Sequence, residues 1–345
     1  MHDEGTRFAP WRAATGAPPR SLAAAGASRR GLVDSLQECL SGEYGAIFQY
    51  LHHAFAVPPG EAPFPFFGYP RDAHRQLMCH AVHEMRHAEM LARTMARAGA
   101  APTVAVAPQA AATTWGEMVE RDIAAEQEAA EHYEDLARCA AEPDLSYLLA
   151  NIAHDERGHT LAASAILAEM RRQGKVSRPY QPGAALHEAA RRPGDTEGGS
   201  PEDGRRLTEA AALEYRSLWN LMYHSLLLGD DQSLAPRLRV LAVKEMRHWH
   251  GLSRRAMELG ADVGATRPVD TMGYLEPDLG QGLQDALTLE GHLAVKFTQI
   301  LEHLADPPGR RLAADFAAKD REQGADLEAY LGNLHRRGPW RAEAH

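Results

Sequence analysis

The four residues Glu84-Met85-Arg86-His87 recur as Glu245-Met246-Arg247-His248, 161 residues further along the chain. Both copies lie in stretches whose apolar residues recur at helical spacing. On an α-helix, positions i and i+3 project from one face, so a carboxylate and an imidazole at that spacing converge on one point. Such a pair is a grip for a metal ion, and its repetition points to an internal duplication of a metal-binding helical unit. No segment shows convincing strand alternation, so the fold class expected is all-α.

With 345 residues the chain has room for two domains, each with its own core. Four helices are predicted in the first half: from Gly31 to about Val57, from about Arg71 to Ala98, from about Thr114 to Ala141, and a fourth with Asp144 as N-cap running to about Gln173. The first two are joined by an aromatic, proline-rich connection, Phe64 to Tyr69, which suits a substrate lid. Residues 176–204, with Pro179, Pro182, Pro193 and Pro201 among several glycines, have the composition of a linker. The helical plan then repeats, from about Arg205 to Leu228, Ala235 to Gly260, Leu279 to Ala305 and Gly309 to Leu334. The expected organisation is a disordered arm over 1–30, a first four-helix bundle over 31–175, a linker over 176–204 and a second bundle over 205–337.

In a four-helix bundle that holds two metal ions, two helices each supply a Glu and the other two each supply a Glu-x-x-His pair. The first half meets that template in full. Glu43 comes from the first helix, Glu84 and His87 from the second, Glu126 from the third, and Glu156 with His159 from the fourth. Four carboxylates neutralise two divalent cations, two of them can bridge, and hard oxygen donors favour iron, with manganese second and zinc disfavoured. Bridging roles fall to Glu84 and Glu156. Tyr44, Tyr50 and Tyr133 are expected near the metals, with packing the role of at least two of them. His80 and His83 are expected on the surface or around the ligands rather than on a metal.

Around Glu43 the chain reads Glu-x-x-Ala-Ile-x-Gln-Tyr, and around Glu156 Asp-Glu-x-x-His. These segments resemble the corresponding ones of the ferritin-like superfamily, of bacterioferritin and rubrerythrin in particular. The resemblance covers residues 31–173 closely and 205–334 more loosely. It implies tandem ferritin-like four-helix bundles, and a family that hosts iron storage, peroxide reduction and oxygenation. Met85 and Met246 stand where bacterioferritin carries a haem-ligating methionine, but methionine is also an ordinary core filler, and haem is not expected.

The second half departs from the template. Glu214, Glu245, His248 and Glu290 match Glu43, Glu84, His87 and Glu126, but the fourth helix has no His. In one register Asp320 takes the carboxylate position and Gln323 the imidazole position; in the other these fall on Glu322 and Ala325. The first keeps Leu327 and Leu331 on the apolar face and is preferred. With one strong ligand missing, the second site is expected to bind metal more weakly or not at all.

The function implied is a diiron oxidoreductase that activates dioxygen or peroxide and oxidises a small organic substrate, with an electron donor as a further partner. A ferroxidase or peroxide-detoxifying protein is the alternative, and a non-catalytic metal binder the third reading. The net charge of −10 and the lack of a basic run exclude nucleic acid as the expected partner. Three isolated cysteines, Cys39, Cys79 and Cys139, suit a reducing compartment. No apolar run approaches a membrane span, and a cytoplasmic location is expected. Every surface of a cage-forming subunit must satisfy closed symmetry, which a fusion of two bundles makes harder, so a monomer or small homo-oligomer is expected.

Overall fold

The computed structural model describes residues 29–66, 69–100, 102, 112–180, 199–228, 234–261 and 279–337. Most of the N-terminal arm, most of the linker, much of the crossover between the second and third helices and the tip of the aromatic connection, Phe67 and Gly68, lie outside these residues. The chain divides into two compact units, Met1–Gln181 and Pro182–His345. Among the described residues each holds four long helices. The first unit has α1 (Arg29–Ala56), α2 (Ala73–Arg97), α3 (Trp115–Cys139) and α4 (Pro143–Arg172), with a short ribbon of β1 (Phe64–Phe66) and β2 (Tyr69–Arg71). The second has α5 (Pro201–Leu227), α6 (Ala235–Glu258), α7 (Leu279–His303) and α8 (Pro307–Arg337). The fold is two tandem four-helix bundles.

Local chemistry sets the helix ends. Asp72 caps α2 by accepting from Arg75 N at 2.7 Å, and Thr114 caps α3 by accepting from Glu117 N at 3.2 Å. Gly99, at φ 71°, takes the left-handed conformation that ends α2. Several starts differ from expectation. Pro143 is the first residue of α4, preceded by Glu142 with no side-chain cap, and Asp144 sits inside the first turn. Helix α5 begins four residues before Arg205, because Ser200 and Asp203 form a reciprocal capping box with Pro201 as the first helical residue.

The aromatic connection also differs: it holds an antiparallel ribbon pairing Phe64 with Arg71, Pro65 with Pro70 and Phe66 with Tyr69. Proline has no N–H to donate, so the Pro65–Pro70 pair occupies a position without ladder bonds, which a two-stranded ribbon tolerates. Phe64 is buried, and Ala73 N donates to Glu61 O at 3.1 Å to close the base. After α4 the chain turns back along the start of α3, with Val176 O accepting from Gly116 N and Tyr180 N donating to Thr113 O, both at 2.9 Å. Arg178 lies over the Trp115 ring at 5.0 Å and reaches Glu61, which also pairs with Lys175. The start of the expected linker is therefore part of the first unit.

Both cores are wide apolar interiors interrupted at mid-height by buried acids. In the first, Leu36, Leu40, Ile47, Phe48 and Leu51 of α1 meet Leu77, Ala81, Met85 and Leu91 of α2, and Leu149, Ile152 and Ile166 line α4. In the second, Leu218, Trp219, Leu238, Leu241, Trp249, Leu252, Phe297 and Leu327 are buried. Met85 and Met246 both lie in their own bundle's core. Among the described residues no helix is long and apolar enough to cross a membrane.

Candidate metal centre

The i to i+3 spacing delivers its groups where helical geometry requires. Glu43 on α1, Glu84 and His87 on α2, Glu126 on α3, and Glu156 and His159 on α4 are all buried, none more than 4% exposed. They form two overlapping groups. Glu43, Glu84, His87 and Glu156 bring one donor atom each within 4.8 Å of one another, and so do Glu84, Glu126, Glu156 and His159.

Each group is centred on an imidazole nitrogen. His87 Nδ1 lies 2.9 Å from Glu84 Oε2, 2.9 Å from Glu156 Oε1 and 3.6 Å from Glu43 Oε2. His159 Nδ1 lies 2.8 Å from Glu84 Oε1, 3.0 Å from Glu156 Oε2 and 3.6 Å from Glu126 Oε2. An imidazole nitrogen has one in-plane direction for a proton or a lone pair, so Nδ1 can satisfy one of three carboxylates. A cation at the focus satisfies all four donors. Glu84 and Glu156 each turn one oxygen to either focus, which is how a bridging carboxylate is placed, while Glu43 and Glu126 serve one focus each.

The electrostatics carry the same imprint. Burial opposes a charged imidazole at His87, yet its bonds with Asp155, Glu156, Glu43 and Glu84 hold it well above the ordinary histidine range. His159 is held up likewise by Glu84, Glu126 and Glu156 against its burial. Burial, followed by the charge of Glu156, pushes Glu43 and Glu126 well above the carboxylate range. At Glu84 burial pushes upward, but the two histidines overcome it and hold the group well below that range. Without a metal, protons on the imidazoles and on the outer carboxyls balance the buried charge.

A further ring of groups surrounds the donors. Tyr50 OH donates to Glu126 Oε1 and Tyr133 OH donates to Glu43 Oε1, so two of the three tyrosines do more than pack. The outer nitrogens of the two histidines are met as well: His87 Nε2 lies 3.4 Å from Asp155 Oδ2, and His159 Nε2 lies 3.2 Å from His83 Nδ1. His80 is buried and stacks on His159 at 4.3 Å, with Gln76 Nε2 2.7 Å from its Nε2. One turn before Glu126, the fully buried Asp122 accepts from Gln49 Nε2 at 2.6 Å and meets His53 Nδ1 at 3.0 Å. Asp122, Gln49 and His53 escape a reading by ligand spacing. The available signal was the spacing of Asp122, four residues before Glu126 and so on the same face of α3.

The second bundle gathers Glu214, Glu245, His248 and Asp320 into one group, each at most 3% exposed. His248 Nδ1 lies 3.1 Å from Asp320 Oδ1, 3.5 Å from Glu214 Oε1 and 4.0 Å from Glu245 Oε1. The register of α8 that places Asp320 and Gln323 inward is the one adopted, with Glu322 and Ala325 exposed. Glu290 is buried but stands outside the group and accepts from Ser217 Oγ at 2.7 Å. Burial, then the charge of Glu245, pushes Glu290 up to about 9.

Most of the outer ring of the first bundle is replaced here. By matched position Tyr133 becomes Phe297, Tyr50 becomes Leu221, His80 becomes Leu241, Asp122 becomes Ala286 and Asp155 becomes Lys319. The two halves keep the ligand frame and differ in what tunes it.

Comparison with known proteins agrees with this geometry. Residues 33–173 match the family model of the ferritin-like domain. No curated protein and no solved structure matches the chain. The matched stretch ends one residue beyond α4 and contains all six donors, so the first bundle matches the ferritin-like domain along its four helices.

Proposed function

We propose that the first bundle holds two iron ions and that the protein is an oxidoreductase, using dioxygen or peroxide to oxidise a small organic substrate. The observation that carries this reading is the splayed pair Glu84 and Glu156, each with one oxygen toward either imidazole-centred focus. When bound, the two ions supply the redox equivalents and the Lewis acidity. Manganese is the second choice for the same oxygen-rich donor set.

The chain's own residues have definite tasks. Glu43 with His87 and Glu126 with His159 would hold one ion each, and Glu84 with Glu156 would hold both. Tyr50 and Tyr133 fix the outer carboxylates through their hydroxyls, leaving the remaining oxygen of each free to turn to its metal. Both phenols are fully buried, and burial followed by the neighbouring carboxylates pushes them well above the tyrosine range. They therefore keep their protons on the phenol oxygen and act as donors. Asp155 orients the His87 ring from outside, and His83 the His159 ring, so that Nδ1 faces the metal.

A second reading has its own observation. Asp155 is 54% exposed on its side chain and touches His87, and the exposed His83 touches His159. Together they form a short path of ligating groups from solvent to the centre, as a protein that takes Fe(II) as substrate requires. The two readings separate in one assay. Iron-loaded protein is given dioxygen and a reductant, and uptake is compared with iron turned over. For an oxidoreductase, uptake follows the reductant at a fixed iron content of two per first bundle. Continued Fe(II) consumption with mineral growth establishes the ferroxidase.

Metal uptake should release protons, because ligands held protonated at His87, His159, Glu43 and Glu126 must give them up. Affinity should accordingly fall as pH falls and the four sites compete for protons. Titration in weakly buffered solution with a pH indicator checks this, and proton-neutral uptake would show that other groups bind the metal.

A further inference from the structure

We propose that the second bundle is a mononuclear site, taking one divalent cation of the manganese(II) or iron(II) class on Glu214, Glu245, His248 and Asp320. This goes beyond the function assigned to the first bundle and does not depend on it. The four residues come from three helices, Glu214 from α5, Glu245 and His248 from α6, and Asp320 from α8, and their donor atoms converge within 4.8 Å.

The group is more than a cluster of acids. Glu214 is fully buried and neither of its oxygens has a hydrogen-bond partner. The same holds for both oxygens of Asp320 and for Glu245 Oε2. His248 Nδ1 faces three carboxylates at 3.1 to 4.0 Å and can satisfy at most one of them. Its ring is fixed by stacking on Phe316 at 4.2 Å. Buried polar atoms left without partners cost free energy, and buried carboxylates cost more, unless a cation compensates them. Three oxygen donors and one nitrogen suit a hard first-row divalent ion.

The second focus is closed by hydrogen bonds. Where the first bundle has His159, Gln323 turns an amide N–H inward and donates from Nε2 to Glu245 Oε1 at 2.5 Å. Glu245 Oε1 is thus taken by a proton donor, which leaves Oε2 as its one oxygen for an ion. Glu290, which would be the outer carboxylate of that ion, accepts from Ser217 through Oε1 and stands outside the convergent group. Ser217 stands where the first bundle has Ala46, so this hydroxyl is particular to the second half. With one ion, three helices are tied together, and paired-metal redox chemistry is absent from this bundle. Its role is structural.

The test uses the full chain loaded with Mn(II) alone, with excess removed and manganese per chain counted. Asp320→Asn and Glu214→Gln preserve side-chain volume, and each is expected to hold one manganese fewer per chain than the wild type, whatever the first bundle retains. An unchanged count in both variants overturns the proposal. A loss of two ions would overturn it in favour of a dinuclear site. Should either variant fail to fold, Glu156→Gln, altered only in the first bundle, is examined by electron paramagnetic resonance. An uncoupled six-line signal from one bound Mn(II) per chain is expected from the second bundle; a spin-coupled pair, or no retained ion, would contradict it. An empty first bundle would lower the wild-type count and leave the difference of one ion intact.

Discussion

Glu156→Gln is expected to empty the first bundle of metal while its helices stay folded. Glu156 faces both foci, Oε1 toward His87 and Oε2 toward His159, so the exchange of one oxygen for an amide nitrogen removes an anionic donor shared by two ions. Since about 1.4 kcal/mol is tenfold in affinity, and losing a charged bridging donor costs several times that, metal content should fall to about a tenth of wild type or less. Glu43→Gln provides the contrast. Glu43 serves one focus and is held by Tyr133, so its loss should weaken one ion and spare much of the other. Elemental analysis with circular dichroism decides the matter. Full metal content in Glu156→Gln would remove Glu156 from the ligand set.

The second large effect is an asymmetry in activity. Glu84→Ala should lower oxidation turnover by about two orders of magnitude or more, because Glu84 also spans both foci and its loss removes a donor shared by both ions, leaving buried carboxylates without cations to screen them. Glu245→Ala, at the matched position, should leave turnover within about a factor of three, as Glu245 is bonded by Gln323 and lies in a separate compact unit. It should lower thermal stability, since a donor of the second bundle's cation is gone. Steady-state dioxygen uptake for the two variants provides the measurement. Greater loss of turnover in Glu245→Ala than in Glu84→Ala would place the working centre in the second half.

Much of this arrangement was legible in the sequence because helical geometry is regular. Once a stretch is helical, the spacing of Glu84 and His87, or of Glu156 and His159, fixes which side chains share a face. The same regularity placed Asp320 and Gln323 inward, as Leu327 and Leu331 on the apolar face require. Pairings between helices are another matter. Tyr50 meets Glu126 and Tyr133 meets Glu43 across 76 and 90 residues of chain, and spacing along one helix carries no information about the hydroxyl's partner on another. The linkage of Asp122 to Gln49 and His53 was hidden for the same reason.

Proline misled at the helix starts. Pro201 reads as a breaker in a Gly- and Pro-rich stretch, yet after Ser200 and before Glu202 and Asp203 it is a start signal, since the first turn needs no N–H from that position. Helix α8 starts in the same manner at Pro307, two residues before Gly309, with Asp306 Oδ2 accepting from Gly309 N at 2.7 Å. The ribbon was concealed by Pro65 and Pro70, whose composition suggests a loop.

Anomalous diffraction at the iron edge from crystals of the iron-loaded protein would show directly whether the first bundle is dinuclear. Two peaks about 3.5–4 Å apart are expected there, both within coordination distance of Glu84 and Glu156, one beside His87 and the other beside His159. A single peak in that bundle, or a pair that Glu84 and Glu156 do not span, would contradict a bridged two-iron centre.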